Sequence, residues 1–143
     1  MSMSLPDLAE KMKDIDFSML FTRTESGSMA GRPMSNNSDV EYDGDSYFFT
    51  LEESETVHDI ERDPTVALSL VAPKSLLGKP GLFIAVEGKA DLIRDKSVLT
   101  QHWTKSLDRW FDQGVDTPGV VLVKVHASRV HYWNGEDTGE VKL

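Results

Sequence analysis

Apolar residues follow two periods along this chain. Leu5, Leu8, Met12 and Ile15 recur at helical spacing, and Ser4 with Asp7 forms a capping box, which predicts a helix within 4–15. The period then changes to two. Residues 17–23 read as a strand, Ser26-Gly27 as a turn, and 28–35 as the returning strand. Asn36-Asn37-Ser38 reads as a loop, and the aromatic and β-branched run 46–51 as a third strand. A short helix over 55–62 follows, with Ser54 as its N-cap, Val57 and Ile60 on its inner side, and Pro64 just beyond its end.

Val66, Leu68 and Leu70 alternate with Thr65, Ala67 and Ser69, so 65–71 is a half-buried strand. Residues 73–81 read as a loop. Strands are expected at 82–86 and 89–93, with Gly88 at a turn or bulge between them. Val98, Leu99, Trp103, Leu107 and Trp110 place a long helix over 96–111, capped by Asp95 and stopped by Gly114. Strands at 119–125 and 129–133 close the pattern, and Asn134-Gly135 turns the chain into an acidic tail over 135–143. Many short strands with few crossover helices predict a single, mainly antiparallel β domain over 1–143, a barrel or sandwich.

Charge narrows the partners. Fifteen Lys and Arg stand against 24 Asp and Glu, a net charge of −9 over 143 residues. Without a concentrated basic patch, such a chain repels phosphate backbones and anionic lipid, which argues against nucleic-acid and membrane partners. There is no cysteine, which removes disulfides, thiolate metal sites and Cys nucleophiles together and suits a reducing cytoplasm. The first residues lack a basic segment followed by an apolar core, so no signal peptide is expected. No apolar run approaches the roughly 20 residues of a membrane helix.

Few constellations carry chemistry. Asp39, Glu41, Asp43 and Gly44 resemble the opening of a calcium loop, but position twelve is Thr50 where a closing Glu is needed, so an acidic hairpin connection is expected instead. The four histidines lack metal-ligand spacing; His126 and His131, on neighbouring strands or their connection, read as half-exposed strand positions in preference to a facing metal pair. Neither a nucleophile elbow nor a phosphate loop occurs. The segment 31–35, Gly-Arg-Pro-Met-Ser, offers a guanidinium fork suited to an anion. The segment 47–60 runs from strand to helix start, where free N–H groups at 55–57 and the hydroxyls of Ser54 and Thr56 form a second generic anion site.

Those two segments occur in order with Phe21-Thr22-Arg23-Thr24, Asp63-Pro64, Val66-Ala67-Leu68-Ser69, Val86-Glu87-Gly88-Lys89-Ala90 and Tyr132-Trp133. Together they resemble the bacterial general stress proteins of the pyridoxamine phosphate oxidase-like superfamily, over about residues 15 to 134. The resemblance implies an antiparallel split barrel and a homodimer with flavin sites at the subunit interface, holding FMN or FAD. It implies that Arg32, Pro33 and Met34 lie along the flavin, that Phe49 and Thr50 run beside its ring, and that Ser54 and Thr56 receive the phosphate. From some relatives it implies further that Trp110 and Phe111 lie near the site from the partner subunit.

Relatives commonly carry a basic pair after that serine. This chain has Glu55-Thr56, preceded by Glu52 and Glu53, which predicts a weakened hold on phosphate unless Lys74 or Lys79 compensates. Any activity implied is flavin-dependent oxidoreduction, the flavin supplying the redox chemistry; no residue stands out as general acid or base. The alternatives left open are a module that sequesters a flavin, one that binds another planar ligand such as haem or a deazaflavin, and a split barrel without a ligand. Trp103, Trp110 and Phe111 carry more aromatic surface than one helix hides, in keeping with an interface.

Overall fold

The computed structural model describes residues 3–35, 42–72, 81–135 and 137–143. The Asn36-Asn37-Ser38 loop, Asp39 and Glu41, and the 73–80 stretch with Lys74 and Lys79 lie outside the described residues.

Among the described residues, three helices and seven strands occur in the order α1 (Leu5–Met12), β1 (Phe17–Arg23), β2 (Met29–Ser35), β3 (Asp45–Leu51), α2 (Glu55–Arg62), β4 (Thr65–Val71), β5 (Leu82–Ile93), α3 (Lys96–His102), β6 (Val120–Asn134) and β7 (Asp137–Lys142). The strands form one antiparallel sheet ordered β2-β1-β4-β5-β6-β3, with β7 added on β6. Its curl wraps a core that includes Leu20, Phe48, Leu68, Ile84, Val86, Val123 and Tyr132. The terminal strands of this order, β2 and β3, carry the edges between which the barrel is split. Pro33, which has no N–H to give a ladder, sits in the end strand β2, where proline is tolerated.

α1 packs Leu8, Ala9, Met12 and the following Ile15 into the same core. Its capping box is present: Ser4 Oγ accepts from the Asp7 N–H, and Asp7 accepts in return from the Ser4 N–H at 2.9 Å. Ser54 caps α2, whose Val57 and Ile60 are buried as the spacing predicts.

Four differences from the sequence reading have identifiable physical causes. The strands expected at 82–86 and 89–93 are one strand, β5, and those at 119–125 and 129–133 are one strand, β6. Gly88 marks a bulge: Glu87 pairs Arg129 and Gly88 pairs Ala127, leaving Ser128 as the extra residue. The helix expected over 96–111 stops at His102. Trp103 is extended there, with its ring edge-on to Phe49 at 4.7 Å and to Phe111 at 5.4 Å, and its indole N–H donating to Asp108 at 2.9 Å. Two 3-10 turns, Lys105–Arg109 and Gly114–Asp116, carry the chain on to β6. Finally, 137–142 of the expected acidic tail form β7. Arg129 Nε lies 3.1 Å from Glu87 and 3.2 Å from Glu140, offsetting the charge this strand brings to the sheet.

Candidate functional site

A cleft of about 390 Å³ opens at the split, a size ordinary for a small-molecule site. Phe17 of β1 and Pro33, Met34 and Ser35 of β2 line one side; residues 47–51 of β3 and Ser54 line another. Thr104, Ser106, Leu107, Trp110 and Phe111 from the first 3-10 turn and its exit complete it. Among the described residues, none that line the cleft carries a charge.

The alternation of β3 builds the aromatic wall. Phe48 faces the barrel core, while Tyr47 and Phe49 pack with Leu99, Val120, Leu122, Trp103 and Phe111 in a second, smaller core. Burial pushes the Tyr47 phenol up; like any phenol at neutral pH it can donate as well as accept. Its ring stacks on His102 at 4.0 Å. The Ser54 hydroxyl accepts from the Val57 N–H at 3.4 Å and from the Thr50 hydroxyl at 3.1 Å, which leaves its own hydrogen to donate. Thr104 and Ser106 share a 3.0 Å hydroxyl contact. Trp110 is 55% exposed, with the Arg109 guanidinium over its ring at 5.2 Å.

Seven residues named from sequence line this cleft: Pro33, Met34, Phe49, Thr50, Ser54, Trp110 and Phe111. Trp110 and Phe111 do so from the same chain. Arg32 and Thr56 are not among its lining residues. Thr56 is buried in the first turn of α2. Arg32 donates to the Thr22 hydroxyl at 2.7 Å and lies 3.5 Å from the Asp59 carboxylate. Thr22 in turn donates to Asp59 at 2.7 Å, and Arg62 approaches the other Asp59 oxygen at 3.4 Å. Arg32 therefore ties α2 to β1 and β2. A separate hollow lined by Thr24, Glu25, Ser26, Ala30, Arg32, Glu55, Asp59 and Arg62 adjoins this knot.

Sequence reasoning missed Phe17, Ser35, Tyr47, Phe48, Leu51, Thr104, Ser106 and Leu107 as cleft residues. The last three sit where a continuous helix was expected, so their shared approach to the cleft had no periodic signal. One acid at the α2 entry has a partner: Arg94 grips Glu52 through three hydrogen bonds of 2.7–3.0 Å and holds its carboxyl below the usual range. His126 and His131 do not face each other. Both lie on β6, where His126 Nδ1 is 2.6 Å from Asp45 and His131 stacks on Trp133 at 4.3 Å. Among the described residues, no group of three or more His, Cys, Asp or Glu is placed to hold a metal, and no helix is long and apolar enough to cross a membrane.

Residues 4–143 match the family described as pyridoxamine 5'-phosphate oxidase like. The chain belongs to that family. Within it, the chain is similar to general stress protein 26 of Bacillus subtilis (strain 168), 26% identical over 146 residues that cover 99% of each protein. A solved structure from Clostridium acetobutylicum, described as related to that stress protein, has a TM-score of 0.81 at 17% identity and covers 97% of this chain and 94% of its own. A heme binding protein from Mycobacterium smegmatis has a TM-score of 0.78 at 15% identity, covering 99% of this chain and 59% of that one. Both likenesses support the split barrel of the pyridoxamine phosphate oxidase family as the fold.

Proposed function

We propose that this chain is a flavin-binding protein of the general stress type that holds the isoalloxazine ring in the cleft. The observation that carries the reading is the composition of the cleft. Tyr47, Phe49, Trp110 and Phe111 offer aromatic surface to a planar heteroaromatic ring, and Met34 and Pro33 offer an apolar counter-wall. The hydroxyls of Thr50, Ser54, Thr104 and Ser106 suit a polyol or the polar ring edge. When bound, the flavin supplies electron or hydride transfer. The chain's own residues orient the ring and exclude water.

Titration of the protein with riboflavin and FMN, followed by quenching of flavin fluorescence, tests the reading. Saturable binding of at least one is expected. Trp110→Ala weakens it by roughly three- to tenfold, the loss of one aromatic contact of about 0.5–1.5 kcal/mol. Absence of flavin binding, or a haem absorption band in the purified protein, overturns it.

The functional unit in this reading is a cytoplasmic homodimer. Phe17, Met19, Val71, Phe83 and Trp133 are each at least 38% exposed. Register aligns Phe83 with both Val71 and Trp133, and Met19 with Pro33, so these side chains share the outer face of the sheet and meet the cleft at Phe17 and Pro33. Exposed apolar surface of this kind marks an association site. Light scattering is expected to give twice the chain mass, and Phe83→Glu to shift it toward the monomer. A monomer in the wild type rejects the dimer.

A further inference from the structure

We infer that the cleft selects a flavin without a phosphate, riboflavin in preference to FMN. This deepens the reading above and rests on it. The ring and polyol of a flavin match the aromatic and hydroxyl lining, but a phosphate dianion finds no charged partner among the described lining residues. Burying an anion without a counter-charge or a full set of donors is costly.

The cations and anions around the α2 entry point the same way. Ser54 is the cleft residue nearest a helix N-terminus, and its neighbours in the chain are Glu53 and Glu55, both exposed. Arg94, on the far side of that turn, is already bound by Glu52. Arg32 shares the same strand as Met34 but is held by Thr22 and Asp59. Thr22 and Asp59 thus hold the guanidinium toward α2, and it is not among the residues that line the cleft. The favourable helix dipole at 54–57 acts against two formal negative charges at the same place, and formal charge outweighs a half-charge dipole. A net charge of −9 adds a long-range term of the same sign.

The test compares riboflavin and FMN on the full chain in its own assembly state, at low and at high salt. Riboflavin is expected to bind about tenfold more tightly than FMN at low salt, a difference of about 1.4 kcal/mol. Salt is expected to tighten FMN and leave riboflavin unchanged, because it screens a repulsion over a Debye length of about 10 Å at 0.1 M. Glu55→Gln, a surface change that leaves the fold intact, is expected to tighten FMN severalfold and not riboflavin. FMN binding more tightly than riboflavin, with salt weakening it, overturns the inference while the ring site stands. Failure of both flavins to bind overturns the ring site and the inference together.

Discussion

Gly88→Ala is expected to lower stability by about 3 kcal/mol, at the upper end of the cost of overpacking. In urea, with a slope of about 1–3 kcal/mol per molar, that is a midpoint shift of one molar or more. A Cβ at Gly88 would overlap the His126 carbonyl oxygen and lie 3.0 Å from its carbon and 3.1 Å from Ala127 Cα. These are backbone atoms, so no rotamer change relieves the overlap. Nor can β6 retreat. It is paired with β3 from Val120 to His126 and with β7 from Arg129 to Asn134, and the Ala127 N–H donates to the Gly44 carbonyl at 2.8 Å. Gly31→Ala is the contrast. Its Cβ would meet the Phe21 ring at 2.6 Å, a side chain on an outer face that can turn aside, so a loss of under about 1 kcal/mol is expected. Equal midpoints for wild type and Gly88→Ala would show that the bulge tolerates a side chain.

That contrast bears on what a sequence discloses. Gly88 was legible as a turn or bulge because glycine interrupts an alternating run, but only pairing reveals that β5 and β6 continue through it. α1 and α2 were legible because spacing and caps are written in adjacent residues: Ser4 with Asp7, Ser54 before Val57. The break at Trp103 was not, because it is decided by Phe49 and Phe111, which reach it through tertiary packing. β7 reads as a charged tail until β6 offers it an edge and Arg129 offers its acids a cation. At the cleft, the aromatic and hydroxyl residues were readable as a group from two short segments and the resemblance. The orientation of Arg32 was not, because its partner Asp59 reads as an ordinary polar position on a helix and gives no sign of being buried.

Arg32→Ala is therefore expected to act on the fold, not on a ligand phosphate. The Asp59 side chain is 4% exposed, and that of Arg32 is 21% exposed. Removing one partner of a buried pair costs about 3–5 kcal/mol, because the remaining charge keeps its desolvation penalty. Arg62 still reaches Asp59, and Arg32 is partly solvated, so about 2–3 kcal/mol is expected here. The Thr22 hydroxyl keeps its bond to Asp59 but loses the donor that Arg32 supplied. Replacing both groups with apolar ones, Arg32→Leu with Asp59→Leu, is expected to recover only part of the loss: a buried ion pair contributes little net stability against well-packed hydrophobes, but the buried Thr22 hydroxyl is left without both partners. Urea unfolding of the two single variants and the double one gives the coupling directly. Flavin titration of Arg32→Ala separates the two roles. A structural tie lowers riboflavin and FMN binding by the same factor, whereas a phosphate ligand lowers FMN binding alone and leaves the urea midpoint where it was.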